Sequence, residues 1–108
     1  MLSIFAHTIN KIISMLFTFD LEKNAFNIRK HGLSMADAPL VFDAPDKLTF
    51  ESQKAGEVRL MDVAMVELAG VVLALVYVLR EPAQVRAISL RRASKQERKL
   101  YAIWQEDC

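Results

Sequence analysis

With 108 residues, 53% of them hydrophobic and 25% charged, the chain has the composition of one folded domain around a single core, which excludes a disordered chain and leaves no room for a second domain. The net charge of +1 neither favours nor excludes nucleic acid. The one cysteine is Cys108, so no internal disulfide can form, and with only His7 and His31 beside it a structural zinc site lacks ligands; a reducing cytoplasmic setting is expected.

Taken in chain order, residues 1–15 carry Leu2, Phe5, Ile9, Ile12 and Ile13 at helical spacing, continued by Leu16. They lack an early basic cluster, His7, Thr8, Asn10 and Lys11 interrupt the apolar stretch, and no cleavage site follows, so a signal peptide is not expected. The segment reads as an extension, either an amphipathic helix capping the core or the product of a start that belongs at Met15, ahead of one domain over residues 16–108. Phe17 to Phe19 reads as a first strand. A helix follows from Leu21 to His31, with Asp20 as N-cap, Glu22 in the first turn and Gly32 as the stop. Leu21, Ala25 and Ile28 fall on one face of it, and Lys23, Asn27, Lys30 and His31 gather on another, polar and basic.

Ser34 with Asp37 resembles a capping box and predicts a second helix through Ala38, Val41 and Phe42, which Pro39 should keep short, kinked or partly of tighter pitch. Asp43, Pro45 and Asp46 mark a turn. From there the period changes: Leu48 to Phe50, Val58 to Glu67, Val71 to Arg80 and Val85 to Arg91 are rich in strand formers and joined by brief turns, which predicts antiparallel pairing. Val71 to Leu79 is apolar at all nine positions, so it should be the central strand; a membrane-spanning helix would need roughly 20 such residues, so none is expected. Alternation places Arg86, Ile88, Leu90 and Arg92 on one face of the last strand and Ala87, Ser89 and Arg91 on the other. Ser94 and Glu97 form a second capping box, and Glu97, Leu100, Tyr101 and Trp104 line one stripe of a closing helix. The expected class is α+β: an antiparallel sheet of three to five strands with two N-terminal helices and one C-terminal helix packed on it.

Charge is unevenly placed. Between Arg80 and Lys99 stand seven basic residues (Arg80, Arg86, Arg91, Arg92, Lys95, Arg98, Lys99) against Glu81 and Glu97, an excess of five. Glycine-rich phosphate loops and paired-histidine motifs are absent, so no cofactor and no metal is expected. What remains is a set for gripping phosphodiesters. RNA can be cut without metal when its 2′-hydroxyl attacks the adjacent phosphorus, provided one group takes that proton, another protonates the leaving oxygen and cations stabilise the phosphate. His31 is the acid or base candidate, although a histidine before a helix-ending glycine also suits the negative end of the helix dipole. Lys23 and Lys30 could hold phosphate or simply face solvent. Arg80, Arg86 and Arg91, at the ends of adjacent strands, could converge on one phosphate. Arg92, Lys95, Arg98 and Lys99 could dock RNA or an acidic protein segment.

Two stretches carry a family likeness. Phe17-Thr-Phe-Asp-Leu-Glu-Lys-Asn-Ala-Phe-Asn-Ile-Arg-Lys-His-Gly-Leu-Ser34, continuing to Ala38 and Val41-Phe42-Asp43, resembles the opening of the BrnT toxins, a branch of the RelE-like ribonuclease toxins of type II toxin-antitoxin modules. Val85-Arg-Ala-Ile-Ser-Leu-Arg-Arg-Ala93, with Glu97-Arg98 and Tyr101, resembles their closing strand and helix. The resemblance implies a RelE-like fold, RNA cleavage that halts translation, and a small DNA-binding antitoxin that holds the toxin in a hetero-oligomer. The residues expected at the site are Arg80, Arg91, His31 and Lys23 as catalytic and Arg86, Lys30, Arg59 and Arg92 as RNA-binding. The chain departs from the family pattern at Phe19, where tryptophan is usual, at Val78-Leu79, where a more polar pair is usual, and between Glu51 and Arg59, which hold no histidine. Each departure removes polarity or a donor, so two further readings stay open: an antitoxin-binding module of reduced catalysis, and a general nucleic-acid binder.

Overall fold

The structure, a computed structural model, describes residues 15–66 and 70–107; the expectations for residues 1–14 and for Leu68-Ala69 lie outside them. The elements are β1 (Leu16–Thr18), α1 (Leu21–His31), a 3-10 turn (Met35–Asp37), α2 (Ala38–Phe42), β2 (Leu48–Lys54), β3 (Glu57–Val66), β4 (Val71–Arg80), β5 (Gln84–Arg92) and α3 (Lys95–Glu106). Local chemistry accounts for the helix ends. The Asp20 carboxylate accepts from the Lys23 amide at 2.9 Å, and Gly32, at φ 71°, donates its N–H to Ile28 O. Ser34 caps the 3-10 turn, and Pro39 sits in the first turn of α2, where its missing N–H costs nothing. The Ser94–Glu97 capping box is complete in both directions.

The sheet runs β1-β5-β4-β3-β2, with β4 central as its unbroken apolar run predicts. Its pairing corrects the expectation of a purely antiparallel sheet: β2 to β5 are antiparallel neighbours, but β1 lies parallel to β5, Phe17 beside Val85. The chain crosses through α1 and α2 from β1 at one edge to β2 at the other, so β1 meets β5 only after β2, β3 and β4 are laid down, and no tight hairpin forces that pair to be antiparallel. β2 also extends to Lys54, beyond the expected Phe50. Its polar end is exposed as an edge strand and closes a two-residue hairpin in which Ala55 and Gly56 both have positive φ.

One face of the sheet packs Ala64, Leu73, Leu75, Tyr77, Val85, Ala87 and Leu90 against Met35, Ala38 and Val41 of the 3-10 turn and α2. The other packs Val63 and Ala74 against Tyr101 and Trp104 of α3. Asp62, fully buried, accepts from Lys47 Nζ, Thr49 Oγ1 and Tyr77 OH at 2.7–3.1 Å, so its charge is paired and solvated by the protein. The two-N-terminal-helix arrangement is thus realised unequally: α2 packs on the sheet face, whereas α1 lies at the sheet's edge against β5. No helix among the described residues is long and apolar enough to cross a membrane.

Candidate functional site

β1 covers only the first third of β5, pairing Leu16 to Thr18 with Gln84 to Arg86. Beyond it the N–H and C=O of Leu90 need other partners, because buried backbone groups left unpaired are costly. Asn27 of α1 supplies both: its Oδ1 accepts from Leu90 N–H at 3.2 Å, and its Nδ2 donates to Leu90 O and Leu33 O at 2.8 Å. One turn earlier, Asn24 accepts from the Met35 amide at 2.7 Å and donates to Ser34 Oγ at 3.2 Å. The buried face of α1 is therefore its asparagine face. The apolar residues Leu21 and Ile28 stand 80% and 45% exposed, the reverse of an ordinary amphipathic helix.

This attachment opens a cleft of about 480 Å³ at the sheet edge. Lys23, Phe26, Asn27, Lys30 and His31 line it from α1, Ile88, Ser89 and Arg91 from β5, and Arg59 from β3. Its size lies within the roughly 300–1,000 Å³ of small-ligand sites. A larger hollow, about 660 Å³, carries Asp43 and Asp46 among Pro39, Leu40 and Met65, so it offers phosphate only repulsion. A bulge at Ile88 shapes the cleft. Val76 pairs with Ser89 and Tyr77 with Ala87, leaving Ile88 unopposed, so Leu90 turns to the core beside Val85 and Ala87. Strict alternation had separated Leu90 from Ala87; the bulge corrects this and sets Ile88, Ser89 and Arg91 around one opening.

The cations of the cleft differ in their commitments. Arg91 is largely spoken for: Nη1 and Nη2 donate to the two Glu97 oxygens at 2.7 and 2.9 Å, and further to Arg92 O and Met61 Sδ. The fork holds the Glu97 carboxyl down at about 2, and the same bonds raise Arg91. Arg59 is the opposite case. The residue lines the cleft, and its Nε is buried with no hydrogen-bond partner among the described residues. The His31 imidazole is pushed below its ordinary value of 6.5, first by burial and then by the nearby Lys30 and Arg91 charges, so it is held neutral near pH 7.

Of the eight site residues predicted from sequence, the cleft gathers Lys23, Lys30, His31, Arg59 and Arg91. It does not gather Arg80, Arg86 or Arg92. Arg80, at the far end of β4, is ion-paired with Glu57 of β3. Arg86 stands beside β1, opposite Val78, near enough to Asp20 to help the Lys23 amide lower that carboxyl. Arg92 lines a separate hollow with Arg98, whose guanidinium donates to Ala93 O. Excess charge in sequence thus does not become one patch: Arg80 is taken up by Glu57, Arg86 stands beside β1, and Arg92 lines a separate hollow. Sequence reasoning missed Ser89, Asn27 and Glu97. Spacing puts Asn27 on one face with Lys23, Lys30 and His31, but neither its inward turn nor the orientation of Ser89, set by an unannounced bulge, could be read there.

The sequence matches the family model of the ribonuclease toxin BrnT of type II toxin-antitoxin systems over residues 19–97. Among solved structures, it is similar to the crystal structure of the Brucella abortus ribonuclease toxin BrnT, with 27% identity, a TM-score of 0.60, and coverage of 76% of this chain and all of that one. A search of curated proteins gave no match. The matched span contains every residue that lines the cleft, and on these grounds the chain belongs to the BrnT family of ribonuclease toxins of type II toxin-antitoxin systems.

Proposed function

We propose that this toxin cleaves RNA in the α1–β5 cleft by attack of the ribose 2′-hydroxyl on the adjacent phosphorus. The neutral His31 imidazole accepts the 2′-hydroxyl proton, Arg59 and Lys23 stabilise the charge that builds on the phosphate oxygens, and the Lys30 ammonium donates a proton to the leaving 5′ oxygen. The products are a 2′,3′-cyclic phosphate and a 5′-hydroxyl. Arg91, its fork committed to Glu97, shapes the cleft and adds positive potential. The observation that carries the reading is the gathering of Arg59, Lys23, Lys30 and a partly buried imidazole around one hollow, a cationic set that suits a phosphate. The finer parts of this reading are a RelE-like sheet arrangement, arrest of translation, a cytoplasmic site of action, and a small DNA-binding antitoxin in a hetero-oligomer.

The test is cleavage of an end-labelled RNA oligonucleotide by the purified chain. Cyclic-phosphate ends are expected, a substrate with a 2′-deoxy residue at the cut site should survive, and cleavage should fall as pH drops through the depressed His31 value, a limb that His31→Gln removes. Cleavage of the deoxy substrate would sink the proposal. One observation favours a second reading, a toxin-like module of reduced catalysis: the Arg91–Glu97 pair occupies a guanidinium expected at the phosphate. Induced expression separates the two, since that module would cause neither growth arrest nor RNA loss.

A further inference from the structure

The outward face of α1 has no partner within the described structure. Leu21, Ala25 and Ile28 fall at i, i+4 and i+7, a continuous apolar stripe, and all three are exposed. Phe26, 56% exposed, adds an aromatic beside it at the cleft mouth, with Arg29 and Lys30 each about 6 Å from its ring centre (5.9 and 5.8 Å). An apolar stripe of this kind on a helix already anchored by Asn24 and Asn27 has no role in holding the helix to the sheet. The flanking charge is one-sided: Lys23, Arg29 and Lys30 against Glu22 alone.

We infer that this face is where the antitoxin docks, through an acidic amphipathic segment that lays apolar side chains on Leu21, Ala25 and Ile28 and carboxylates on Arg29, Lys30 and Lys23. The inference rests on the antitoxin partnership of the family. Charge selects this occupant over residues 1–14 of the chain itself, which bring apolar side chains but only Lys11 and His7 as titratable groups and no carboxylate. Because Lys23 and Lys30 also line the cleft, a segment seated here would cover its mouth, and binding and silencing would be one event.

The experiment uses the complex of this chain with the antitoxin co-expressed from its own locus. Leu21→Asp with Ile28→Gln should weaken the affinity at least about 30-fold, the scale of losing an interface anchor, while RNA cleavage by the free toxin is unchanged. Arg29→Glu should weaken it about tenfold, and a non-cleavable 2′-O-methyl RNA should compete with the antitoxin. A complex that forms with wild-type affinity in both variants would overturn the inference and leave the cleavage proposal standing. The same result with a marked loss of stability would assign the stripe to the chain's own residues 1–14 and overturn it as well. Failure of any antitoxin to bind the wild-type chain would remove the partnership on which it rests.

Discussion

Helices α1 and α3 are of similar length and both are capped by a side-chain oxygen, yet they are held to the sheet by opposite chemistry. α3 buries Tyr101 and half-buries Trp104 against Val63 and Ala74, and adds the Arg91–Glu97 pair at its first turn. α1 buries two asparagines and leaves its leucine, phenylalanine and isoleucine outside. The difference follows from what each helix meets. α3 lies on a sheet face, where side chains are apolar; α1 lies at a strand edge, where backbone donors and acceptors demand polar partners. An edge-mounted helix is positioned by directional bonds, which fix its lysines and histidine over β5 more narrowly than apolar contact would.

Removing the apolar anchor should have the largest effect: Tyr101→Ala is expected to cost about 4 kcal/mol, read by urea denaturation. Asn27→Leu, which a helical pattern would favour, should instead cost about 3 kcal/mol by the same measurement, because Leu90 loses both partners and is left buried. A stabilised Asn27→Leu protein would contradict the edge-mounting account. Within the cleft, Arg59→Ala should lower RNA cleavage about 100-fold at unchanged melting temperature, the scale of losing one preorganised donor.

Glu97→Gln probes the α3 side through pH. The folded carboxyl lies near 2, below its ordinary 4.5, so its stabilisation is full above 4.5 and is lost as pH falls from there toward 2. The wild-type melting temperature should therefore drop across that window, and the variant, already lower at neutral pH, should drop less. The smallest effect is expected for Arg80→Ala. Its pair with Glu57 is part-exposed, so both stability, within about 1 kcal/mol, and cleavage rate should stay near wild type. A large loss of cleavage there would restore Arg80 to the site.

Much of the frame was readable. The caps Asp20, Gly32, Ser94 and Glu97 announce helix ends because their chemistry acts within four residues, and the apolar run of β4 announces a doubly covered central strand. The site was half readable. Lys23, Lys30 and His31 share a helix face by spacing alone, whereas the choice among arginines depended on neighbours the fold brings: Arg80 meets Glu57, Arg91 meets Glu97, and Arg59 Nε has no partner among the described residues.

Local chemistry written into the chain therefore determined the elements, their ends, the central strand and the family likeness, since each depends on residues close together in sequence. Only the assembled sheet decided that β1 runs parallel to β5, that Ile88 bulges, that α1 turns its asparagines inward, and which arginines are taken up by ion pairs. Those outcomes depend on backbone groups and charges brought together from distant parts of the chain, and hydrogen-bond satisfaction at a strand edge has no signature in the periodicity of any single segment.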